Sequence, residues 1–294
     1  MNAASENALD VTLRDAVLDR LGFSASPPAD LGGLRAIYRA WCERVPFENV
    51  GKVIALRSGA EVPLPGRFAP SFFRGWLAQG SGGTCWSTAN ALHELLAAVG
   101  FPSRRVTAQM RDAGITNHGT VIVTVDGGEW LVDSSLLTAI PLPLNPQTFL
   151  SVDPVFSAEV ERVEGVHVLW AYSPPASAHF PCRIFSEEAA HDEYLQRYEV
   201  SRERSPFNSR LYIGRNRGRE VLLLIGNVLW TKSDQGVTRR ALSREEVVES
   251  LRDEFGLDGA FLDRWVAVGG LESAFEQDSG PPPLAETRKP PSQR

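Results

Sequence analysis

Cysteine is scarce: the chain of 294 residues has three, Cys42, Cys85 and Cys182. An odd, sparse set without CxxC spacing excludes a disulfide framework and a thiolate zinc site. No histidine or carboxylate set has ligand spacing either, so no metal is expected. An excess of positive charge is also lacking. Lys and Arg number 30 against 36 Asp and Glu, for a net charge of −6. General binding to nucleic acid or to an anionic membrane surface is thereby excluded, because both need a basic face. Long apolar runs are missing as well. Val221–Ile225 and Ala139–Leu144 fall far short of the ~20 residues a membrane span requires. Met1–Asp10 lacks the basic start and apolar run of a secretory signal. Together these absences predict a reduced, cytoplasmic protein with no nucleic-acid or membrane partner. The composition that remains, 43% hydrophobic and 22% charged, is that of a globular chain long enough for roughly two domains.

No internal repeat is visible. In the first hundred residues apolar positions recur at helical spacing over Val11–Leu21, Leu31–Cys42, Ser71–Leu77 and Trp86–Val99, with Gly22 and Gly100 as stops. From Pro102 the period becomes two. Strands are predicted at Arg105–Met110, Gly119–Val125 and Glu129–Val132, with Asp126-Gly127 as a hairpin signal. Further strands are predicted at Val166–Tyr172, Cys182–Phe185, Ser209–Arg215, Glu220–Ile225 and Val228–Lys232. Glu187–Tyr198 is predicted helical. Ser243-Arg244-Glu245-Glu246 has the capping-box pattern and opens a helix to about Phe255, with another after Asp258. The Pro-rich tail from Ser279 is expected to be disordered. The acidic pairs Glu187-Glu188 and Glu245-Glu246 read as solvated helix starts.

Gly82-Gly83-Thr84-Cys85-Trp86 leads directly into the strongest helical pattern. Two glycines allow unusual backbone angles and close approach of a ligand. A thiol in the first helical turn meets the positive end of the helix dipole, which favours thiolate. Unpaired N–H groups at the same terminus suit a developing oxyanion. The pattern alone fits equally a small buried thiol behind a turn. Cys42 and Cys182 read as core residues. Gly82-Gly83 is not a phosphate loop, because the Lys and Ser/Thr of that motif are absent.

A nucleophilic cysteine needs a base, and the base an orienting carboxylate. His93 lies eight residues along the same helix, about two turns away. His167, His179 and His191 have no acidic strand neighbour. His118 opens the strand Gly119–Val125, whose hairpin partner ends in Asp133. With a two-residue turn Val125 pairs with Gly128 and His118 falls opposite Ser135. Asp133 is then a diagonal neighbour on the same face at ~7–8 Å. A three-residue turn would put the two on opposite faces. An ordinary strand-end histidine is the alternative reading.

With these residues in place the sequence resembles the arylamine N-acetyltransferases. Arg44-Val45-Pro46-Phe47-Glu48-Asn49 is similar to that family's Arg-x-Pro-Phe-Glu-Asn signature, and Gly82-Gly83-Thr84-Cys85 to its Gly-Gly-x-Cys segment. Asn117-His118, Trp130-Leu131-Val132-Asp133 and Ser205-Pro206-Phe207 resemble its histidine, aspartate and third-domain segments, in the same order. The resemblance implies an α+β fold of helical bundle (1–101, carrying the nucleophile), β-barrel (102–204, carrying His and Asp) and α/β lid (205–278), followed by the tail 279–294. It implies a catalytic Cys85, His118 and Asp133, and ping-pong transfer of an acyl group from acetyl-CoA or another acyl-CoA to a small-molecule amine. By the same resemblance Arg44 and Glu48 form an ion pair, and Phe47, Gly119, Leu136 and Phe207 contact substrate. A packing corner without substrate contact is the other reading of Arg44–Asn49.

Two segments depart from the family pattern. The positions two and four after the cysteine hold Ser87 and Ala89 in place of an acidic residue and Asn. Ser134-Ser135-Leu136-Leu137 stands where Val-Gly-Phe-Gly is usual, which places side chains in space left open by glycine. These changes keep two alternatives in view. One is an amide synthase that takes its acyl chain from an acyl carrier protein; the other is a transglutaminase-like Cys hydrolase. Arg215, Arg217 and Arg219 are candidates for the phosphates of CoA, with a solvated turn as the alternative.

Overall fold

Helices form where the apolar spacing and the caps agree. The computed structural model describes residues 6–59, 62–171 and 179–276. Helix α1 (Val11–Arg20) starts on Asp10, whose carboxylate accepts from the Leu13 N–H, and α2 (Leu31–Arg44) starts likewise on Asp30. After the two-residue strand β1 (Phe47–Glu48) come α3 (Val50–Arg57), α4 (Ala69–Gln79) and α5 (Cys85–Val99). Gly80 and Gly100 end the last two in the left-handed conformation. The buried faces of these helices, with Trp41, Phe73 and Trp76 at their centre, make the first apolar core.

Eight strands follow: β2 (Ser103–Met110), β3 (His118–Val125), β4 (Gly128–Val132), β5 (Leu142–Pro143), β6 (Thr148–Ser151), β7 (Ala158–Val163), β8 (Val166–Ala171) and β9 (Phe180–Glu188). They form one antiparallel sheet in the order β5-β4-β3-β2-β9-β8-β7-β6, curled into a nearly closed barrel. Strand β3 is buried on both faces. Val121 and Val123 join the helical core, while Ile122 joins the barrel interior. Asp126 and Gly127 have φ of 51° and 71°. This primed turn is the one that an Asp-Gly pair favours in a two-residue hairpin. The register that follows is the expected one, Val125 opposite Gly128 and Val121 opposite Val132.

Helix α6 (His191–Val200) links the barrel to a five-stranded sheet, whose new members are β10 (Tyr212–Arg217), β11 (Glu220–Ile225), β12 (Val228–Ser233) and β13 (Gly236–Ala241). The order is β1-β10-β11-β12-β13, so β1 leaves the helical part to edge this sheet. Helices α7 (Arg244–Asp253), α8 (Gly259–Ala267) and α9 (Gly270–Phe275) cover one face and supply its core. Ser243 and Glu246 close the capping box in both directions.

One element reading is corrected. Glu187 and Glu188 end strand β9 rather than open a helix, and α6 begins at His191. The β2 pairing extends through a bulge to Glu188, which sits opposite Val106. The tail from Ser279 and the end of the expected strand at Tyr172 lie outside the described residues.

Candidate active site

Cys85 is the first residue of α5 and is 5% exposed. Its Sγ lies 4.0 Å from the Asn117 carbonyl oxygen at the mouth of β3. Asn117 is itself clamped, its amide accepting from the Met110 N–H and donating to the Met110 carbonyl. His118 follows, buried. Its Nε2 lies 2.7 Å from Asp133 Oδ2. The diagonal placement of hairpin residues therefore becomes a direct hydrogen bond once the side chains reach inward.

Asp133 is fixed from its other oxygen. Oδ1 accepts from the Ser135 N–H at 2.9 Å and the Leu136 N–H at 3.1 Å. Its backbone carbonyl accepts from the Tyr38 hydroxyl at 2.7 Å, tying the loop to α2. Ser134, one of the family departures, donates to Thr88 Oγ1, which in turn bonds the Thr84 carbonyl. The aspartate loop and helix α5 are thus joined by hydroxyls.

The electrostatics follow from burial opposed by pairing. Burial works to lower the His118 pKa, but the Asp133 charge, the hydrogen bond to it and the nearby Cys85 sulfur lift it above the usual imidazole range. Burial would raise Asp133, but the His118 charge and hydrogen bond and the Ser135 N–H hold it below the usual carboxylate range. Both shifts favour imidazolium beside carboxylate. Burial pushes the Cys42 thiol up to about 12 and the Cys182 thiol well above its ordinary value.

The Arg44–Glu48 ion pair does not form. The Arg44 side chain is exposed at the end of α2 and packs over Gly22. Glu48 turns inward instead. Its Oε1 accepts from the Gly82 N–H at 3.0 Å and Oε2 from the Gly51 N–H at 3.2 Å, while its own N–H donates to the Gly83 carbonyl. Asn49 then holds the five-stranded sheet. Its amide donates to the Phe207 and Arg210 carbonyls and accepts from the Tyr212 N–H. Sequence reasoning missed both clamps. Each joins segments far apart in the chain, and only the Glu-Asn pair hints at them.

Burial lifts Glu48 from 4.5 to about 7, against three backbone N–H bonds that work to lower it. The folded state therefore holds a proton that the unfolded chain has released. This group's stabilising share is full below about pH 4.5 and is lost as pH rises through 7. Urea unfolding at pH 5 and pH 8 should show Glu48 contributing a loss of about 3 kcal/mol on that rise. In Glu48→Gln that component vanishes, and stability at pH 5 falls by about 1 kcal/mol because an amide nitrogen now faces a backbone N–H.

Phe47, Phe207 and Tyr212 form an edge-on aromatic cluster with centroids 5.1–5.6 Å apart. Phe47 also lines a narrow cavity of about 20 Å³ shared by Ser135, Leu136, Leu137, Tyr212 and Lys232. Of the four residues read as substrate contacts, Phe47 and Leu136 line this cavity and Phe207 packs on Phe47. Gly119 is elsewhere. A Cβ there would lie 2.2 Å from the Tyr194 hydroxyl oxygen and 2.8 Å from Trp86, so packing requires the glycine. Leu137 keeps a left-handed backbone, φ 52°, although it is not glycine. The arginine cluster is largely engaged: Arg217 pairs with Glu220 and Glu254, and Arg219 with Asp153. Among the described residues no group of three His, Cys, Asp or Glu side chains gathers to hold a metal. No helix there is long and apolar enough to cross a membrane.

A comparison with known families matches residues 30–261 to the N-acetyltransferase family. The chain is an N-acyltransferase, and it belongs to the arylamine N-acetyltransferase family. Its fold is that of solved family members. A glutamine-for-cysteine variant of the Mycobacterium smegmatis enzyme superposes with a TM-score of 0.79 at 19% identity, covering 92% of this chain and 100% of that one. The Mycobacterium marinum enzyme in complex with CoA gives a TM-score of 0.75 at 20% identity, covering 90% and 98%. A Bacillus cereus enzyme described as having a Cys-His-Glu catalytic triad gives 0.69 at 17% identity, covering 85% and 100%. No match is found among curated proteins.

Proposed function

We propose that the chain transfers an acyl group from a CoA thioester to an arylamine in two half-reactions on Cys85, with His118 as base and acid and Asp133 as its orienting partner. The observation that carries this reading is the 2.7 Å contact of His118 with Asp133 beside a thiol at a helix start. A thiolate–imidazolium pair is the resting state that the charges around His118 favour. The Cys85 sulfur attacks the thioester carbonyl, and the oxyanion forms beside the N-terminal N–H groups of α5. The C–S bond to CoA breaks, its sulfur takes the proton from His118, and acyl-Cys85 remains. The amine then attacks the acyl carbonyl, His118 takes a proton from its nitrogen, and the C–S bond to Cys85 breaks to release the amide. Thiolate and imidazolium are restored. CoA as donor rests on family membership and on the CoA complex of the relative.

Initial rates over a grid of acetyl-CoA and arylamine concentrations test this scheme. Parallel double-reciprocal lines are expected. Intersecting lines would mean a ternary complex, and release of CoA at an unchanged rate without amine would mean hydrolysis.

The wall around Leu137 is proposed to set acyl size. Leu137→Gly removes a buried side chain, at about 2–5 kcal/mol, and relieves about 1 kcal/mol of left-handed strain. A net loss of stability is expected, visible as a lower Tm. The space opened beside Phe47 and Tyr212 should raise the kcat/KM ratio of hexanoyl-CoA to acetyl-CoA severalfold. An unchanged ratio would remove Leu137 from the acyl site.

A further inference from the structure

Against the segment that leads into Cys85 lies a second cavity, of about 330 Å³, large enough for a small molecule. Its roof is Gly82, Gly83 and Thr84, the residues that lead into Cys85. Its walls come from α3, α4, α6 and α8, and are mainly apolar: Ile54, Val62, Pro63, Phe72 and Phe261. Acyl transfer as described uses none of these residues.

Two polar groups in this cavity are incompletely used. Thr84 is 2% exposed, caps α5 without a side-chain hydrogen bond, and its hydroxyl oxygen has no partner. Lys52 is 3% exposed, and its ammonium donates to the carbonyl and hydroxyl oxygens of Ser201 at 3.1 and 2.9 Å. An ammonium has three donors, so one is left. A third positive or polar contribution stands at the mouth, where Arg264 lies over Phe261 and bonds Gln79. Glu48 also lines the cavity; both its oxygens accept from backbone N–H groups, and burial keeps it protonated below about pH 7, where it puts no charge against an anion. Tyr198 donates to the Pro65 carbonyl. The unspent capacity is that of donors: one ammonium N–H of Lys52 and the hydroxyl of Thr84, both on residues that line the cavity. A buried ammonium is stabilised most by an anion.

We infer that this cavity is a binding site for a small monocarboxylate with an apolar body, its carboxylate against Lys52 and Thr84 and its body against Phe72 and Phe261. The occupant presses on the segment that leads into Cys85. Its negative charge near the start of α5 opposes the thiolate on Cys85 and so slows that thiol's reactions. The site and its effect need no acyl donor, so they stand or fall separately from the acyl-transfer scheme.

Calorimetric titration of the full chain tests the site, with phenylacetate and octanoate as probes and phenylacetamide and phenethylamine as neutral and cationic controls. The carboxylates are expected to bind and the controls to bind at least tenfold more weakly. Lys52→Met should weaken carboxylate binding tenfold or more. Ala55→Phe, which fills the cavity from the wall of α3, should abolish it and serves should Lys52→Met fail to fold. Phenylacetate should also slow iodoacetamide alkylation of Cys85 severalfold in the native chain and leave Ala55→Phe unaffected. No binding at millimolar probe, equal binding of amine and carboxylate, or unchanged affinity in both variants would overturn the site. Binding without any change in Cys85 alkylation would overturn its coupling to the nucleophile.

Discussion

Replacing Asp133 with asparagine should lower kcat/KM for acyl transfer by about 10³–10⁴-fold while leaving the fold intact, on the scale seen when a triad carboxylate becomes an amide. The direction comes from the hydrogen bonds. Oδ1 accepts from the N–H groups of Ser135 and Leu136, so the amide oxygen of the variant must stay there. The amide nitrogen then faces His118 Nε2, where a carboxylate oxygen sits at 2.7 Å. A donor in that place forces Nε2 to accept, which moves the imidazole proton to Nδ1 and removes the charge that stabilises imidazolium. Steady-state kinetics and the pH dependence of iodoacetamide alkylation would both register the change. A loss below tenfold would mean that the carboxylate does not orient the histidine.

Gly82→Ala should be the most damaging single-methyl change. A Cβ at Gly82 would lie 1.7 Å from the Pro46 carbonyl oxygen, a backbone atom that cannot rotate away. The segments cannot separate cheaply. Glu48 and Phe47 bind the glycine loop through the Gly82 N–H, the Gly83 carbonyl and a parallel bridge to Gly83. Overpacking against backbone costs about 3 kcal/mol or more, and any relief shifts the loop that positions Cys85. A misplacement of about 1 Å lowers rate by about 100-fold. Gly259→Ala is the matched control. Nothing lies within 4 Å of its added methyl, at the first position of α8, and its stability should change by less than about 0.5 kcal/mol. Urea unfolding and kcat of the two variants check both statements.

What the sequence makes legible here is what neighbours in the chain decide. The Asp126-Gly127 turn fixes the register of β3 and β4, and with it the placement of His118 relative to Asp133, because a two-residue turn leaves no freedom to slip. The Ser243 cap and the stops at Gly22 and Gly100 are local in the same way. Strand β1 has two residues and exists only because β10 receives it, so no periodicity could announce it. Strand β13 is exposed at every position and carries no apolar alternation. Ala158-Glu159-Val160-Glu161 does alternate, but Arg162 ends the pattern after four residues. The inward turn of Glu48 was hidden because its partners are backbone N–H groups, which no side-chain pattern records. The same holds for Gly119, whose need for glycine comes from Tyr194, 75 residues on.

The central claim is that Cys85 carries the acyl group between donor and amine. Intact-protein mass spectrometry after mixing with acetyl-CoA and longer acyl-CoA esters tests it most directly, with Cys85→Ala alongside. One acyl adduct per chain is expected, absent in Cys85→Ala and discharged by an arylamine. An adduct that persists in Cys85→Ala, or none from any CoA ester while Cys85 still reacts with iodoacetamide, would contradict it.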